Sequence, residues 1–117
     1  MALQDRIHFL TSPEQVDAFV KDNPTAAIYK AGTCHKTQET FIHVQARLES
    51  QEDLPLGIIR VVEARPASNH VAARTGIVHE SPQLILFKQG QAVFDSDNWD
   101  ITEEAVAQGL ESLLARV

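Results

Sequence analysis

The chain has 117 residues and a mass of 13.0 kDa, a length that predicts one domain spanning residues 1–117. Apolar residues make up 44% and charged residues 22%, proportions that argue against wholesale disorder. The formal net charge of −6 disfavours a nucleic-acid partner, because phosphate binding needs a basic surface. The sequence lacks a long apolar run and a leader-like N-terminus, so we expect a cytoplasmic protein with no membrane partner.

The first part of the chain predicts a short strand followed by a helix. Ile7–Leu10 is typical of an edge strand. Ser12 can cap a helix that starts at Pro13, and Gln15 is placed to close a capping box. Pro24 ends this helix. Its apolar face comprises Val16, Phe19 and Val20.

The middle of the chain alternates strands with helices. Thr25–Lys30 predicts a strand, and Thr37–Ser50 predicts a helix. Leu56–Val62 is rich in β-branched residues, as buried strands are. Pro66–Thr75 predicts a short helix with Gly76 as its left-handed cap. The buried face of the longer helix comprises Phe41, Val44 and Leu48.

The last part predicts a hairpin and a final helix. Gln83–Lys88 and Gln91–Asp95 are strands joined by a turn at Gln89-Gly90, and Asp100 can cap the helix. The resulting order, β-α-β-α-β-α-β-β-α, predicts an α/β fold with a mixed four- to five-stranded sheet and helices on both faces. The buried side of the final helix comprises Ala105, Val106, Leu110, Leu113 and Leu114.

Cys34, the only cysteine, stands between a predicted strand and a predicted helix. A helix N-terminus carries about half a positive charge and unpaired N–H groups, which stabilise a thiolate and lower the cysteine pKa. His35 and Lys36 add positive charge, and Thr37 can direct a hydroxyl or N–H at the sulfur. These polar flanks disfavour a buried, inert thiol. The pattern indicates a nucleophile for thiol–disulfide exchange.

A Ser81-Pro82 pair precedes the first strand of the hairpin. In folds of the strand–cysteine–helix type such a proline often faces the cysteine, and cis peptide bonds are nearly confined to X–Pro. Local sequence alone favours an ordinary trans proline at a strand start, and it is the family resemblance described below that implies a cis bond at Pro82. His79 lies close enough along the chain to act as a base, although a role in shaping the loop is favoured. Trp99 is expected to pack over the edge of the core. The histidines show no zinc-ligand spacing, so no metal is expected.

Several stretches together resemble a known family. They are Thr33-Cys34, residues 63–69 with Gly76, the specific run Val78–Gln83, and residues 98–102. Residues 73–93 also resemble the C-terminal half of thioredoxins. On these motifs the chain resembles the monothiol bacilliredoxins, also called bacillithiol system redox-active proteins, over nearly its whole length. The resemblance implies a thioredoxin-like three-layer fold.

One departure from the family pattern lies beside the cysteine. Bacilliredoxins usually have proline after the cysteine, followed by an apolar residue and a serine. This chain has His35, Lys36 and Thr37 instead. Thr37 keeps a hydroxyl three residues after Cys34, whereas loss of the proline is expected to change the helix start, the thiol pKa and the reduction potential.

The resemblance also implies a function. Bacilliredoxin-like proteins remove bacillithiol, a low-molecular-weight thiol, from mixed disulfides on client proteins. Bacillithiol would be a co-substrate, with no bound cofactor, and bacillithiolated proteins would be the partners. Cys34 is the implied nucleophile, and without a second cysteine the route must be monothiol. Bacillithiol carries an anionic malate group, which His35, Lys36, Lys30 and Arg74 would attract. The expected substrate-binding residues are Thr33, His35, Lys36, Thr37, Ser81 and Pro82, with His79 as an accessory residue.

Two alternatives stay open. A monothiol glutaredoxin-like protein would bind glutathione or share an iron–sulfur cluster, but such proteins usually show Cys-Gly-Phe-Ser, and residues 34–37 lack the glycine and phenylalanine. A non-catalytic thioredoxin-like interaction module in a stress response would explain the missing proline and the missing second cysteine. A peroxidase has little support, since no Thr-x-x-Cys motif is present.

Overall fold

A computed structural model describes residues 2–114. Two short 3₁₀ turns, Leu3–Arg6 and Asn98–Asp100, accompany nine longer elements in this part of the chain. None of its helices has the length and apolar character needed to cross a membrane. In chain order the longer elements are β1 (Ile7–Phe9), α1 (Pro13–Asp22), β2 (Thr25–Ala31), α2 (His35–Leu48), β3 (Leu56–Arg60), α3 (Arg65–Thr75), β4 (Gln83–Lys88), β5 (Gln91–Asp97) and α4 (Glu103–Leu114).

The five strands form one mixed sheet in the order β1-β3-β2-β4-β5. β1, β3 and β2 run parallel, while β4 is antiparallel to both β2 and β5. Helices α1 and α3 pack on one face of the sheet, and α2 and α4 pack on the other. The predicted three-layer α/β fold is therefore confirmed.

The central strand β2 feeds both hydrophobic cores. Ala27 and Tyr29 face the α2/α4 core, and Ala26 and Ile28 face the α1/α3 core. This alternation follows from the two-residue period of a strand. Lys30 continues the second series and is fully buried. The α1/α3 side of β2 therefore changes from apolar to charged at its carboxyl end.

Two element boundaries in the middle of the chain differ from the prediction. β3 ends at Arg60, where the N–H groups of Glu63 and Ala64 turn back to its carbonyl. Val62 is consequently 60% exposed, so its β-branched character did not place it in the sheet. Helix α2 begins at His35, with Cys34 as its N-cap residue, two residues earlier than predicted.

The last helix is capped by a different residue from the one predicted. Thr102 Oγ1 accepts the Ala105 N–H at 3.1 Å, and α4 begins at Glu103. Asp100 lies in the preceding 3₁₀ turn, and β5 extends to Asp97. Of the predicted buried side of α4, Val106, Leu110 and Leu113 are buried and Ala105 is partly buried, whereas the Leu114 side chain lies outside the described residues.

The carboxyl end of α2 is closed by a buried arginine from the N-terminal turn. Arg6 is 4% exposed, and its guanidinium donates to backbone carbonyls at 3.1 Å (Leu48), 3.3 Å (Glu49) and 2.7 Å (Leu54), and also to that of Gln51. The Leu48 and Gln51 carbonyls also accept the N–H groups of Gln51 and Leu54, so Arg6 adds a cationic donor to a helix end that the backbone satisfies only in part.

Candidate active site

Three loops meet at one edge of the sheet because of the strand register. Lys30 on β2 pairs with Gln83 on β4, and Gln83 pairs with Asp97 on β5. β4 is antiparallel to both neighbours, so the start of β4 lies between the ends of β2 and β5. The loops attached there are the cysteine loop (residues 32–34), the proline loop (residues 78–82) and the tryptophan loop (residues 98–100).

Direct contacts lock the three loops together. A Cβ added to Gly32 would lie 2.4 Å from Ser81 Oγ and 3.3 Å from Thr37 Oγ1, so the cysteine loop comes close to the proline loop at this glycine. The Asn98 N–H donates to the Pro82 carbonyl at 2.9 Å. Lys36 Nζ, from the first turn of α2, donates to Asn98 Oδ1 at 3.0 Å. The Ser81–Pro82 peptide bond is cis, and Pro82 is buried.

Cys34 is exposed at the N-terminus of α2, in an environment that favours the thiolate. The Thr37 N–H is the strongest cause of its lowered pKa, assisted against desolvation by the Lys36 N–H, the Thr37 hydroxyl and the Lys36 charge. Thr37 Oγ1 also accepts the Gly32 N–H at 3.0 Å, which leaves the hydroxyl hydrogen for the sulfur. Backbone N–H groups of the first helical turn are thus the main cause of the lowered Cys34 pKa.

Tyr29 supports this first turn from the sheet and was missed in the sequence. Its hydroxyl donates to the Thr37 carbonyl at 2.8 Å and lies 2.9 Å from Thr40 Oγ1. Burial raises the pKa of Tyr29 to about 12, so the phenol stays a hydrogen-bond donor at neutral pH. Alternation along β2 could have placed this side chain under α2, but its hydrogen-bond partner depends on packing.

The tryptophan loop contributes to the site in a way the sequence did not indicate. Trp99 is 53% exposed, and its ring centroid lies 5.8 Å from that of His35. The expected packing of Trp99 over the core edge is therefore wrong, because its indole lies beside the first residue of α2. Asn98 holds a left-handed φ of 50°, uncommon outside glycine and frequent at functional loops.

The remaining predicted site residues separate into two groups. Thr33 and His35 are exposed beside Cys34, and Ser81 is partly buried against Gly32. His79, by contrast, turns towards the α1/α3 side of the sheet, where its Nδ1 lies 3.2 Å from Lys30 Nζ. Desolvation, followed by the Lys30 charge, lowers the pKa of His79. His79 is thus a residue of the proline loop whose Nδ1 bonds to Lys30 and not to Cys34.

The expected cluster of positive charge forms only in part. Lys30 is 0% exposed, so it offers no charge to a ligand at the surface. Arg74 bonds to Asp17 at 2.8 Å and to the Gly90 carbonyl at 3.3 Å, at the hairpin end of β4 away from Pro82. Lys36 remains at the site, while Glu80 accepts from Asn98 Nδ2 at 3.2 Å. The surface near Cys34 therefore carries both a basic side chain, Lys36, and an acidic one, Glu80.

Across residues 2–114, no three His, Cys, Asp or Glu side chains are grouped so as to hold a metal ion. The chemistry within the described site is that of an exposed thiol with a lowered pKa, at the end of the sheet that also carries the cis Ser81–Pro82 peptide bond.

Comparison with known proteins agrees with this geometry. Residues 8–106 match the family described as monothiol bacilliredoxin BrxC. A proposed oxidoreductase with a thioredoxin fold shares 26% identity, with a TM-score of 0.84 over 93% of this chain and 97% of that one.

Two thioredoxins share the fold at lower identity. Oxidised mitochondrial thioredoxin 3 from Saccharomyces cerevisiae is 18% identical, with a TM-score of 0.75 over 92% of this chain and 95% of its own. A mutant thioredoxin from Halobacterium salinarum is 22% identical, with a TM-score of 0.76 over 100% of this chain and 98% of its own. The fold is thus thioredoxin-like, and the match over residues 8–106 places the chain in the monothiol bacilliredoxin family.

Proposed function

We propose that this protein is a monothiol thiol–disulfide oxidoreductase that removes bacillithiol from mixed disulfides on client proteins. The observation that carries the proposal is the placement of the single thiol. Cys34 is exposed, has a lowered pKa and stands at the edge where the Ser81–Pro82 cis bond lies. Membership of the monothiol bacilliredoxin family supports the choice of bacillithiol.

The reaction proceeds by two thiol–disulfide exchanges. In the first, the Cys34 thiolate attacks the bacillithiol sulfur of the mixed disulfide. A new disulfide joins Cys34 to bacillithiol, the old one breaks, and the client leaves as a thiolate that takes a proton from water. In the second, the thiolate of another bacillithiol attacks the adduct, releasing oxidised bacillithiol and the Cys34 thiolate. The client disulfide is reduced, and two bacillithiol molecules become one disulfide.

The residues of the site have separate tasks in this scheme. The first-turn N–H groups and the Thr37 hydroxyl stabilise the Cys34 thiolate both as attacking group and as leaving group. The backbone beside Pro82 can pair with an extended client segment, as strand edges do. Lys36, bonded to Asn98, and His35, beside Trp99, follow Cys34 in the chain and would contact the bacillithiol moiety.

Intact-protein mass spectrometry tests the proposal. The wild-type chain and a Cys34→Ser control are incubated with oxidised bacillithiol and, separately, with oxidised glutathione. We expect a rapid adduct on the wild type with bacillithiol, a slow or absent one with glutathione, and none on Cys34→Ser. Equal rates with both disulfides would contradict bacillithiol selectivity. No adduct with either, together with slow iodoacetamide labelling, would favour the interaction module.

A further inference from the structure

Three buried polar side chains lie next to the proline loop, on the α1/α3 side of the sheet. We call Lys30, Ser68 and Gln83 the loop platform. They come from β2, α3 and β4, and their exposed fractions are 0%, 1% and 1%. Lys30 and Gln83 are direct cross-strand partners, so their Cβ atoms lie about 5 Å apart on the α1/α3 side. Below them the same side is filled with apolar residues such as Ile28 and Ile85.

Every member of the loop platform bonds to the proline loop. Lys30 Nζ lies 3.2 Å from His79 Nδ1, and Ser68 Oγ lies 3.3 Å from the same nitrogen. Gln83 Nε2 donates to the Val78 carbonyl at 3.0 Å. Two consecutive loop residues, Val78 and His79, are therefore held by the sheet and α3, and only Glu80 separates them from Ser81 and Pro82.

The loop platform is costly for folding, which argues that it serves another purpose. Within residues 2–114, no carboxylate lies within ion-pair distance of Lys30 Nζ, and Gln83 Oε1 is buried without a hydrogen-bond partner. A buried amine and an unsatisfied amide oxygen each cost free energy. An apolar pair at these positions would extend the α1/α3 core without that cost.

We propose that Lys30 is a positioning residue whose bond to His79 holds the proline loop in the geometry needed to dock a disulfide partner against Cys34. The inference rests on the proposed function. Lys30 acts through His79 and does not touch the thiol's hydrogen-bond donors. Its removal should therefore weaken the reaction with a protein disulfide, which needs the loop, and spare alkylation of Cys34, which does not.

The experiment compares two reactions in Lys30→Met, His79→Leu and the double variant. One is reduction of a single-cysteine model protein carrying bacillithiol, with free bacillithiol as recycling thiol; the other is alkylation by iodoacetamide. We expect kcat/KM for the model protein to fall about tenfold or more in each single variant, as small misplacements do, and no further in the double variant. Alkylation should stay within about twofold, because the Cys34 environment is unchanged.

Two matched variants separate positioning from general structure. Lys21→Met makes the same change at an exposed lysine and should behave as wild type. His79→Asn keeps an acceptor close to the Nδ1 position and should recover most of the activity lost in His79→Leu. A drop in melting temperature and alkylation rate in proportion to the activity would make Lys30 a structural residue and overturn the inference. Additive losses in the double variant would also overturn it.

Amide hydrogen exchange tests the inference independently of bacillithiol. Exchange of the Asn98 N–H, which donates to the Pro82 carbonyl at 2.9 Å, should accelerate in Lys30→Met and His79→Leu and stay unchanged in Lys21→Met. Unchanged exchange in the first two variants would refute positioning of the loop, whatever the activity. If exchange accelerates but the wild type does not reduce the bacillithiolated protein, the proposed function is wrong. The role of Lys30 in positioning the proline loop is then still supported.

Discussion

Arg6 and Lys30 are both buried cations, but their surroundings differ. Arg6 lies at the carboxyl end of α2, where its guanidinium reaches four backbone carbonyls. Lys30 lies near the level of the amino end of α2, about 20 Å away for a helix of this length, and reaches one imidazole nitrogen. Arginine suits the first place because its planar fork can satisfy several acceptors at once.

Arg6 therefore stabilises the fold, whereas the burial of Lys30 lowers the stability of the fold. The carbonyls around Arg6 lie at the carboxyl end of a helix, where a cation is favoured, so the guanidinium and the helix end stabilise each other. Lys30 has little compensation for its desolvation, and it sits where the proline loop must be held. The unfavourable burial of a charge thus lies at the end of the sheet that carries the proline loop and Cys34, as is common where function constrains a site.

The largest expected effect is on stability when Arg6 is replaced. Arg6→Met removes the guanidinium donor from four backbone carbonyls, of which Leu48 and Gln51 keep a backbone N–H, and should lower the free energy of unfolding by on the order of 3 kcal/mol. Urea unfolding followed by circular dichroism measures this change. Alkylation of Cys34 in the folded variant should match wild type.

A matched control is available on α2 itself. Arg47 is 44% exposed in its side chain and pairs with Glu103 at 3.4 Å. Arg47→Met should cost less than about 1 kcal/mol, as exposed ion pairs do. Equal losses at Arg6 and Arg47 would show that the buried carbonyl contacts contribute nothing special.

Replacing Lys30 should raise the free energy of unfolding, whereas replacing Arg6 lowers it. Lys30→Met removes a poorly compensated buried amine, so the variant should be more stable than wild type at pH 7 by on the order of 1–3 kcal/mol. Urea unfolding under the conditions used for Arg6 measures the difference. A variant less stable than wild type at pH 7 would mean that Lys30 and Arg6 play the same structural role.

The advantage of Lys30→Met should also depend on pH. Burial lowers the pKa of Lys30 from 10.5 to about 8. Between these two values the unfolded chain holds a proton that the folded chain has released, so wild-type stability rises with pH there. The advantage of Lys30→Met is therefore greatest below pH 8 and shrinks as the pH approaches 10.5. Unfolding curves for both proteins at pH 7, 8, 9 and 10 test this, and a constant difference would contradict it.

A smaller effect is expected at the thiol. Thr37→Val removes the hydroxyl and keeps the stronger backbone N–H, so the pKa of Cys34 should rise only part of the way to its ordinary value. The iodoacetamide rate near neutral pH should fall by about threefold to tenfold, with the midpoint of its pH profile moved upwards. Thr37→Ser should retain the wild-type profile. An unchanged midpoint in Thr37→Val would leave the backbone N–H groups and the Lys36 charge as the causes of the lowered pKa.

The smallest effect is expected at Lys36. Its charge is the last of the contributions to the lowered Cys34 pKa, and salt screens partly exposed charges. Lys36→Met should slow alkylation about twofold at low ionic strength and less in 0.5 M salt. A loss that does not change with salt would indicate that the Lys36–Asn98 bond acts through loop geometry instead.

Most of the fold could be predicted because its signals are local. Helical spacing identified α1 from Val16, Phe19 and Val20, and Ser12 caps that helix as expected, accepting the Gln15 N–H at 3.2 Å. Gly76 takes the left-handed conformation with φ 74°. The misplaced boundaries occurred where two neighbouring choices were locally similar, such as a cap at Asp100 or Thr102.

The candidate site also has one part that local sequence predicts and another part that it does not. Cys34 could be placed at a helix start because strand, turn and helix are contiguous in sequence. The environments of Lys30, Arg74 and Trp99 could not be predicted, because each depends on a distant partner. Lysine is usually exposed, and only the β2 alternation and the α3 covering layer bury this one.

The sequence by itself determined the order of elements, the family and the monothiol character, since periodicity, motifs and a residue count need no long-range contact. Tertiary structure decided which polar groups meet in the folded protein. Lys30 with His79, Lys36 with Asn98, and Arg6 with the end of α2 are each separated by more than 40 residues. Their contacts arise from antiparallel register and helix packing, which come into being only when the sheet assembles.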